Sequence, residues 1–120
     1  MLEPLSINHL NLPASDPEAL CQWYVNTLGF QRNGNFLWSG GTLLVFNSGQ
    51  SLNNKDYHFG FRVSSLAQLE LWVAELRERG LDVPDIDGDE SYSHVRFTDP
   101  EGNGIELFYE PVVMPVASPR

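Results

Sequence analysis

Polar and apolar residues alternate from Leu5 to Leu12, with Leu10 and Leu12 on one face and Ile7, His9 and Asn11 on the other. That period predicts a strand. The next stretch changes to helical spacing, with Leu20, Trp23, Tyr24, Thr27 and Leu28 on one stripe and Gly29 as the stop. Its start has two candidates: a capping box from Ser15 to Glu18, or Asp16 as N-cap with Pro17 at the first helical position. Short apolar runs near Phe30–Asn33, Phe36–Ser39 and Thr42–Asn47 read as strands, the last two joined at Gly40-Gly41 by a tight hairpin turn. Residues 49–56 are polar and form the natural linker.

After the linker the order begins again. Tyr57–Val63 alternates, with Tyr57, Phe59 and Phe61 on one side and His58, Gly60 and Arg62 on the other. Ser65 opens a second helix, striped by Leu66, Leu69, Trp72, Val73 and Leu76 and closed by Gly80. Leu81–Val83 reads as a short strand and Pro84–Glu90 as an acidic loop. Tyr92–Thr98 and Ile105–Glu110 are strands joined by the turn sequence Asp99-Pro100-Glu101-Gly102-Asn103-Gly104, rich in residues that turns favour. Residues 111–120 carry three prolines and read as an extended tail.

His58 follows His9 by 49 positions, Leu69 follows Leu20 by 49, and Trp72 follows Trp23 by 49. Matching residue types at one offset mark an internal repeat. Each half reads βαβββ, one over about residues 5–48 and the other over about 56–110. Neither half covers both faces of its own sheet. Their pairing, within one chain or across a dimer, predicts an α+β fold: a cupped eight-stranded mixed sheet with helices on the outer face.

Alternation then assigns the faces. Leu10, Leu12, Phe59, Phe61, Val95, Phe97, Ile105 and Leu107 belong against the helices. The opposite face carries His9, Asn11, His58, Arg62, His94, Arg96, Thr98 and Glu106, with Trp38 and Phe108 as apolar walls. His9, His58 and Glu106 come from three strands of that face. Two imidazoles and a carboxylate suit a first-row divalent ion and leave coordination positions open. The competing reading is two ordinary strand histidines and a solvated carboxylate. The equivalence of His9 and His58 in the repeat favours ligands.

Composition narrows the partners. Seven Lys+Arg against sixteen Asp+Glu give 120 residues a net charge of −9, which argues against nucleic acid and against an anionic membrane surface. No apolar run spans a bilayer. A single cysteine, Cys21, offers no intrachain disulfide and suits a reducing, cytoplasmic setting. It sits on the first predicted helix with no His beside it in sequence, which favours packing over a nucleophile. The acids at Asp82, Asp85, Asp87, Asp89 and Glu90 lack the spacing of a calcium loop and read as a solvated loop.

The stretches Asn8-His9-Leu10, Trp23-Tyr24-Val25-Asn26-Thr27-Leu28-Gly29-Phe30, Tyr57-His58-Phe59-Gly60-Phe61 and Asp99 through Leu107 resemble the vicinal-oxygen-chelate superfamily, the glyoxalase/bleomycin-resistance/dioxygenase group. The resemblance covers residues 5–110 and implies two βαβββ modules. It also implies a divalent metal (Fe, Mn, Zn or Ni) on His9, His58 and Glu106, chelating vicinal oxygens of a small substrate. Homodimers are common in the group. Glyoxalase I takes a fourth ligand from the strand that is here Thr42-Leu43-Leu44-Val45-Phe46, which is apolar, so that reaction is disfavoured. Where many relatives carry Tyr, this chain has Arg96, suited either to an anionic oxygen of substrate or to an ion pair with a neighbouring acid. Asn11 would orient His9 or substrate, or satisfy backbone groups, and no general base is identified. The alternative is a metal-free drug-binding protein whose Trp38 and Phe108 stack a planar ligand.

Overall fold

The computed structural model describes residues 1–53 and 56–111. The predicted tail beyond Pro111 lies outside the described residues. Ten elements follow one another: β1 (His9–Ala14), α1 (Pro17–Leu28), β2 (Gln31–Asn33), β3 (Phe36–Ser39), β4 (Thr42–Ser48), β5 (His58–Arg62), α2 (Leu66–Glu78), β6 (Asp87–Asp89), β7 (Tyr92–Thr98) and β8 (Gly104–Tyr109). This is βαβββ written twice. The strands form two four-stranded mixed sheets, ordered β1-β4-β3-β2 and β5-β8-β7-β6. In each, the first strand of the module runs parallel to the last, and the remaining neighbours are antiparallel.

The chain divides into two units, Met1–Lys55 with Asp99–Asn103, and Asp56–Thr98 with Gly104–Arg120. The turn joining β7 to β8 therefore packs with the first unit, although it belongs to the second repeat in sequence.

In the first unit, Asp16 caps α1 by accepting from Ala19 N at 3.1 Å, Pro17 opens the helix, and Gly29 closes it at φ 75°. The alternative capping box does not form, because its two members are engaged elsewhere. Ser15 gives its amide and hydroxyl to Glu101 at 2.8–3.0 Å, and Glu18 pairs with Arg32. Leu20, Tyr24 and Leu28 of α1 pack with Leu37, Leu44 and Phe46 from the sheet, all buried. Cys21 is fully buried as expected, and burial pushes its thiol pKa up.

The second unit repeats the plan. Ser65 caps α2 by accepting from Gln68 N at 3.1 Å. Leu69, Val73 and Leu76 are buried, as are Val95, Phe97, Ile105 and Leu107 from the sheet.

Three boundaries differ from expectation. β1 starts at His9 and continues through Pro13 to Ala14; a proline is tolerated because β1 is an edge strand. Leu5 and Ile7 lie before it and are exposed. Leu81–Val83 is not a strand: Val83 is buried and its carbonyl accepts from Arg77 Nε at 3.0 Å, tying the segment to α2. The strand lies instead at Asp87–Asp89, within the expected acidic loop. Gly88 makes that pairing possible: at φ 97° a Cβ would sit 2.0 Å from the Tyr92 carbonyl oxygen.

Candidate functional site

The sheet of the second unit has one face covered by α2 and one polar face, and the register decides what meets on the latter. Gly60 of β5 lies opposite Glu106 of β8, which lies opposite Arg96 of β7. One step along, His58, Gly104 and Thr98 are aligned; one step the other way come Arg62, Phe108 and His94. The central carboxylate thus sits between a bare backbone and a guanidinium.

Glu106 is only 3% exposed, unusual for a carboxylate. Its charge is met by three groups. Arg96 Nε donates to Oε2 at 2.8 Å, the Tyr92 hydroxyl donates to Oε1, and His58 Nε2 stands 3.6 Å from Oε2. Burial opposes ionisation of Glu106. The Tyr92 and Arg96 hydrogen bonds, with the charges of Arg96 and His58, outweigh it and hold the carboxyl pKa below its ordinary value. Tyr92 moves the other way: burial, followed by its bond to Glu106 and that group's charge, raises the phenol pKa to about 12. At neutral pH the site is therefore an ionised carboxylate accepting hydrogen bonds from a neutral phenol and a guanidinium.

Aromatic rings border this cluster. Tyr92 and Phe108 stack at 5.7 Å with 25° between planes, and His94 lies 5.0 Å from Tyr92. Phe108 reaches this position by lying over Gly60, where a Cβ would come within 3.2 Å of its ring. His94 is half-buried, and its Nδ1 is buried with no hydrogen-bond partner among the described residues. Arg62 donates to the Glu110 backbone carbonyl at 2.7 Å.

In the first unit the same register aligns His9 with Leu43 and Trp38, and Asn11 with Val45 and Phe36. The place held by Glu106 in the second sheet is held here by Val45, and that of Arg96 by Phe36. His9 and Asn11 are exposed; Asn11 accepts from the Asn47 side chain, and Phe36 and Trp38 remain partly open. Of the sequence-derived candidates, His58, Arg96, Glu106 and Phe108 come together in the second unit, while His9, Asn11 and Trp38 belong to the first. Tyr92 was not among the candidates. The alternation that selected His94, Arg96 and Thr98, extended two residues back, reaches it.

The donor set tests the metal expected from the resemblance. His58 Nε2 and Glu106 Oε2 are spaced like two ligands of one ion. Arg96 Nε occupies the same oxygen, however, and both carboxylate oxygens already have donors. Among the described residues no three His, Cys, Asp or Glu side chains form a group able to hold a metal. As arranged, the cluster does not fit a divalent ion. A separate groove of about 270 Å³ beside α2, lined by residues including Glu70, Arg77 and Asp85, contains none of these groups.

Two βαβββ units, each with its own four-stranded mixed sheet, define a two-module α+β protein. The chain belongs to the Glyoxalase/Bleomycin resistance protein/Dioxygenase superfamily, whose family model matches residues 6–107. No curated protein matches it in sequence. Among solved structures it resembles an integron cassette protein from the mobile metagenome of the Halifax Harbour sewage outfall, with 23% identity, TM-score 0.75, and coverage of 87% of this chain and 97% of that one. It is also similar to an antibiotic binding protein from a Streptomyces species, with 24% identity, TM-score 0.68, and coverage of 92% and 99%. A lactoylglutathione lyase from Agrobacterium tumefaciens gives 21% identity, TM-score 0.71, and coverage of 88% and 94%. At these identities the likeness concerns the fold. Among the described residues no helix is long and apolar enough to cross a membrane.

Proposed function

We propose that this chain is a small-molecule-binding protein that operates without a metal, using the polar face of its second sheet to take a planar ligand with an anionic group. The observation that carries the reading is the state of Arg96. Its Nε is anchored on buried Glu106, its side chain is 58% exposed, and its two Nη groups have no hydrogen-bond partner among the described residues. A guanidinium held by one edge presents the other to an incoming carboxylate, a geometry suited to paired hydrogen bonds. The Tyr92–Phe108 stack beside it offers an aromatic surface for a ring. Glu106 and Tyr92 position Arg96; His58, exposed beside them, supplies a further polar contact.

The test is titration with naphthoate, a flat monocarboxylate, in the presence of chelator, followed by calorimetry. Saturable binding is expected, weakened about tenfold, or about 1.4 kcal/mol, by Arg96→Met. Naphthalene methanol, which lacks the charge, should bind equally to both proteins. Binding that appears only with added divalent metal would reject the reading.

A second reading keeps the divalent metal implied by the family, and one observation favours it: the 3.6 Å between His58 Nε2 and Glu106 Oε2. It requires Arg96 to leave Glu106. Metal analysis of protein purified without chelator separates the two readings.

A further inference from the structure

We propose that Arg96 is the resident cation of Glu106 and that its guanidinium bars divalent metal ions from the His58–Glu106 pair. The inference rests on the reading of these three residues as the centre of the site. It adds a specific role for one of them.

A buried anion needs compensating charge, and at Glu106 only a few sources are within reach. Tyr92 supplies a hydrogen bond but no charge. His58 stands 3.6 Å away, beyond hydrogen-bonding distance. Arg96 Nε is 2.8 Å from Oε2, so among the described residues the guanidinium is the charged group hydrogen-bonded to that oxygen. A divalent ion bound to His58 and Glu106 would lie about 2.1 Å from each donor and would face that guanidinium across the same oxygen. Two cations sharing one oxygen of a buried carboxylate repel each other. One of them must leave.

The register explains why Arg96 holds the place. It is the residue directly opposite Glu106 on the neighbouring antiparallel strand, so its stem needs no long reach. In the first unit the equivalent pair is Phe36 and Val45, with neither an acid to neutralise nor a cation. The charged residues on the two strands therefore occur as a matched pair or not at all. Arg96 is also largely exposed, so replacing it removes no packed core side chain, and thermal melting reports any cost of leaving Glu106 without its cation.

Divalent cobalt is a suitable probe, because its visible absorption reports nitrogen and oxygen ligation. The wild-type chain is expected to show no saturable cobalt uptake. Arg96→Met should take up one cobalt per chain with affinity at least tenfold higher, and should lose it when His58→Ala or Glu106→Gln is added. Arg96→Lys, which restores a cation, should exclude cobalt again. Should Met disturb folding, as judged by thermal melting, Arg96→Gln repeats the test. Equal cobalt affinity in wild type and Arg96→Met overturns the proposal. So does a variant that gains no cobalt site, or one whose gain survives loss of His58 and Glu106. Failure of naphthoate to bind, with the cobalt results as expected, would count against the ligand reading alone.

Discussion

Removing the hydroxyl of Tyr24 should destabilise the protein by about 2 kcal/mol, and the figure follows from one buried contact. Tyr24 is fully buried in α1 and donates to Asp99 Oδ2 at 2.7 Å. Asp99, 4% exposed, also accepts from Glu101 N at 2.9 Å, Asn103 N at 3.0 Å and Asn103 Nδ2 at 2.9 Å. This network holds the β7–β8 turn to the first unit. In Tyr24→Phe the ring stays, with its neighbours Trp23, Phe30 and Phe46 at centroid distances of 5.0–5.6 Å. No large cavity is added. The loss is one hydrogen bond to a charged acceptor, in the range of roughly 1.5–3 kcal/mol. Oδ2 keeps the Asn103 donor, so the carboxylate is not orphaned and the middle of that range applies.

Urea unfolding at neutral pH measures this directly: the midpoint should fall while the slope stays constant. The melting temperature should drop by about 8 °C, taking about 4 °C per kcal/mol for a domain of this size. A double-mutant cycle with Asp99→Asn assigns the loss to the pair. A Tyr24→Phe variant within about 0.5 kcal/mol of wild type, or a coupling energy near zero, would show that the Tyr24–Asp99 contact does not hold the turn.

Gly88→Ala combines a φ of 97° with a Cβ 2.0 Å from the Tyr92 carbonyl oxygen, so it should cost more than about 2 kcal/mol and loosen the β6–β7 hairpin, measurable by hydrogen exchange. The backbone amide of Ser15, opposed by burial but aided by the Ser15 hydroxyl and the Asp16 amide, holds the Glu101 pKa below its ordinary 4.5. A depressed folded-state pKa gives stability that is present above the unfolded value and lost as pH falls through the folded one. Urea midpoints should therefore fall less steeply below about pH 4.5 in Glu101→Gln than in wild type, and identical acid limbs would refute the assignment. His94→Phe keeps a ring against Tyr92 and removes the unpartnered buried Nδ1; its melting temperature should equal or exceed that of wild type, since an unsatisfied buried polar atom costs about 1–3 kcal/mol.

Much of the fold was legible because the chain marks its helix ends with side-chain chemistry. Asp16-Pro17, Ser65 and Gly29 each do what their residue types dictate, and the 49-residue offset between His9 and His58 announces the second module. β6 was hidden for an equally physical reason. Asp87-Gly88-Asp89 has no apolar alternation, since it is an exposed edge strand, and its pairing depends on a glycine conformation that periodicity does not report. The mistaken strand at Leu81–Val83 shows the converse: an apolar run can be buried by anchoring to a helix without joining a sheet.

The site was legible as a face but not as a network. Alternation placed His58, Arg96 and Glu106 together, whereas the partner chosen by each charge depends on cross-strand register. The two units show how much that register controls. Asn11 and Asn47 in the first sheet, joined through their side chains, correspond to Gly60 and Phe108 in the second. A polar pair has given way to a ring lying over bare backbone. The missing side chain at Gly60 admits Phe108, and Phe108 in turn stacks with Tyr92, whose hydroxyl reaches Glu106. The buried carboxylate thus depends on a glycine one strand away. An identical backbone plan carries an apolar Val45 in one unit and an ionised Glu106 in the other because the residues flanking each position differ.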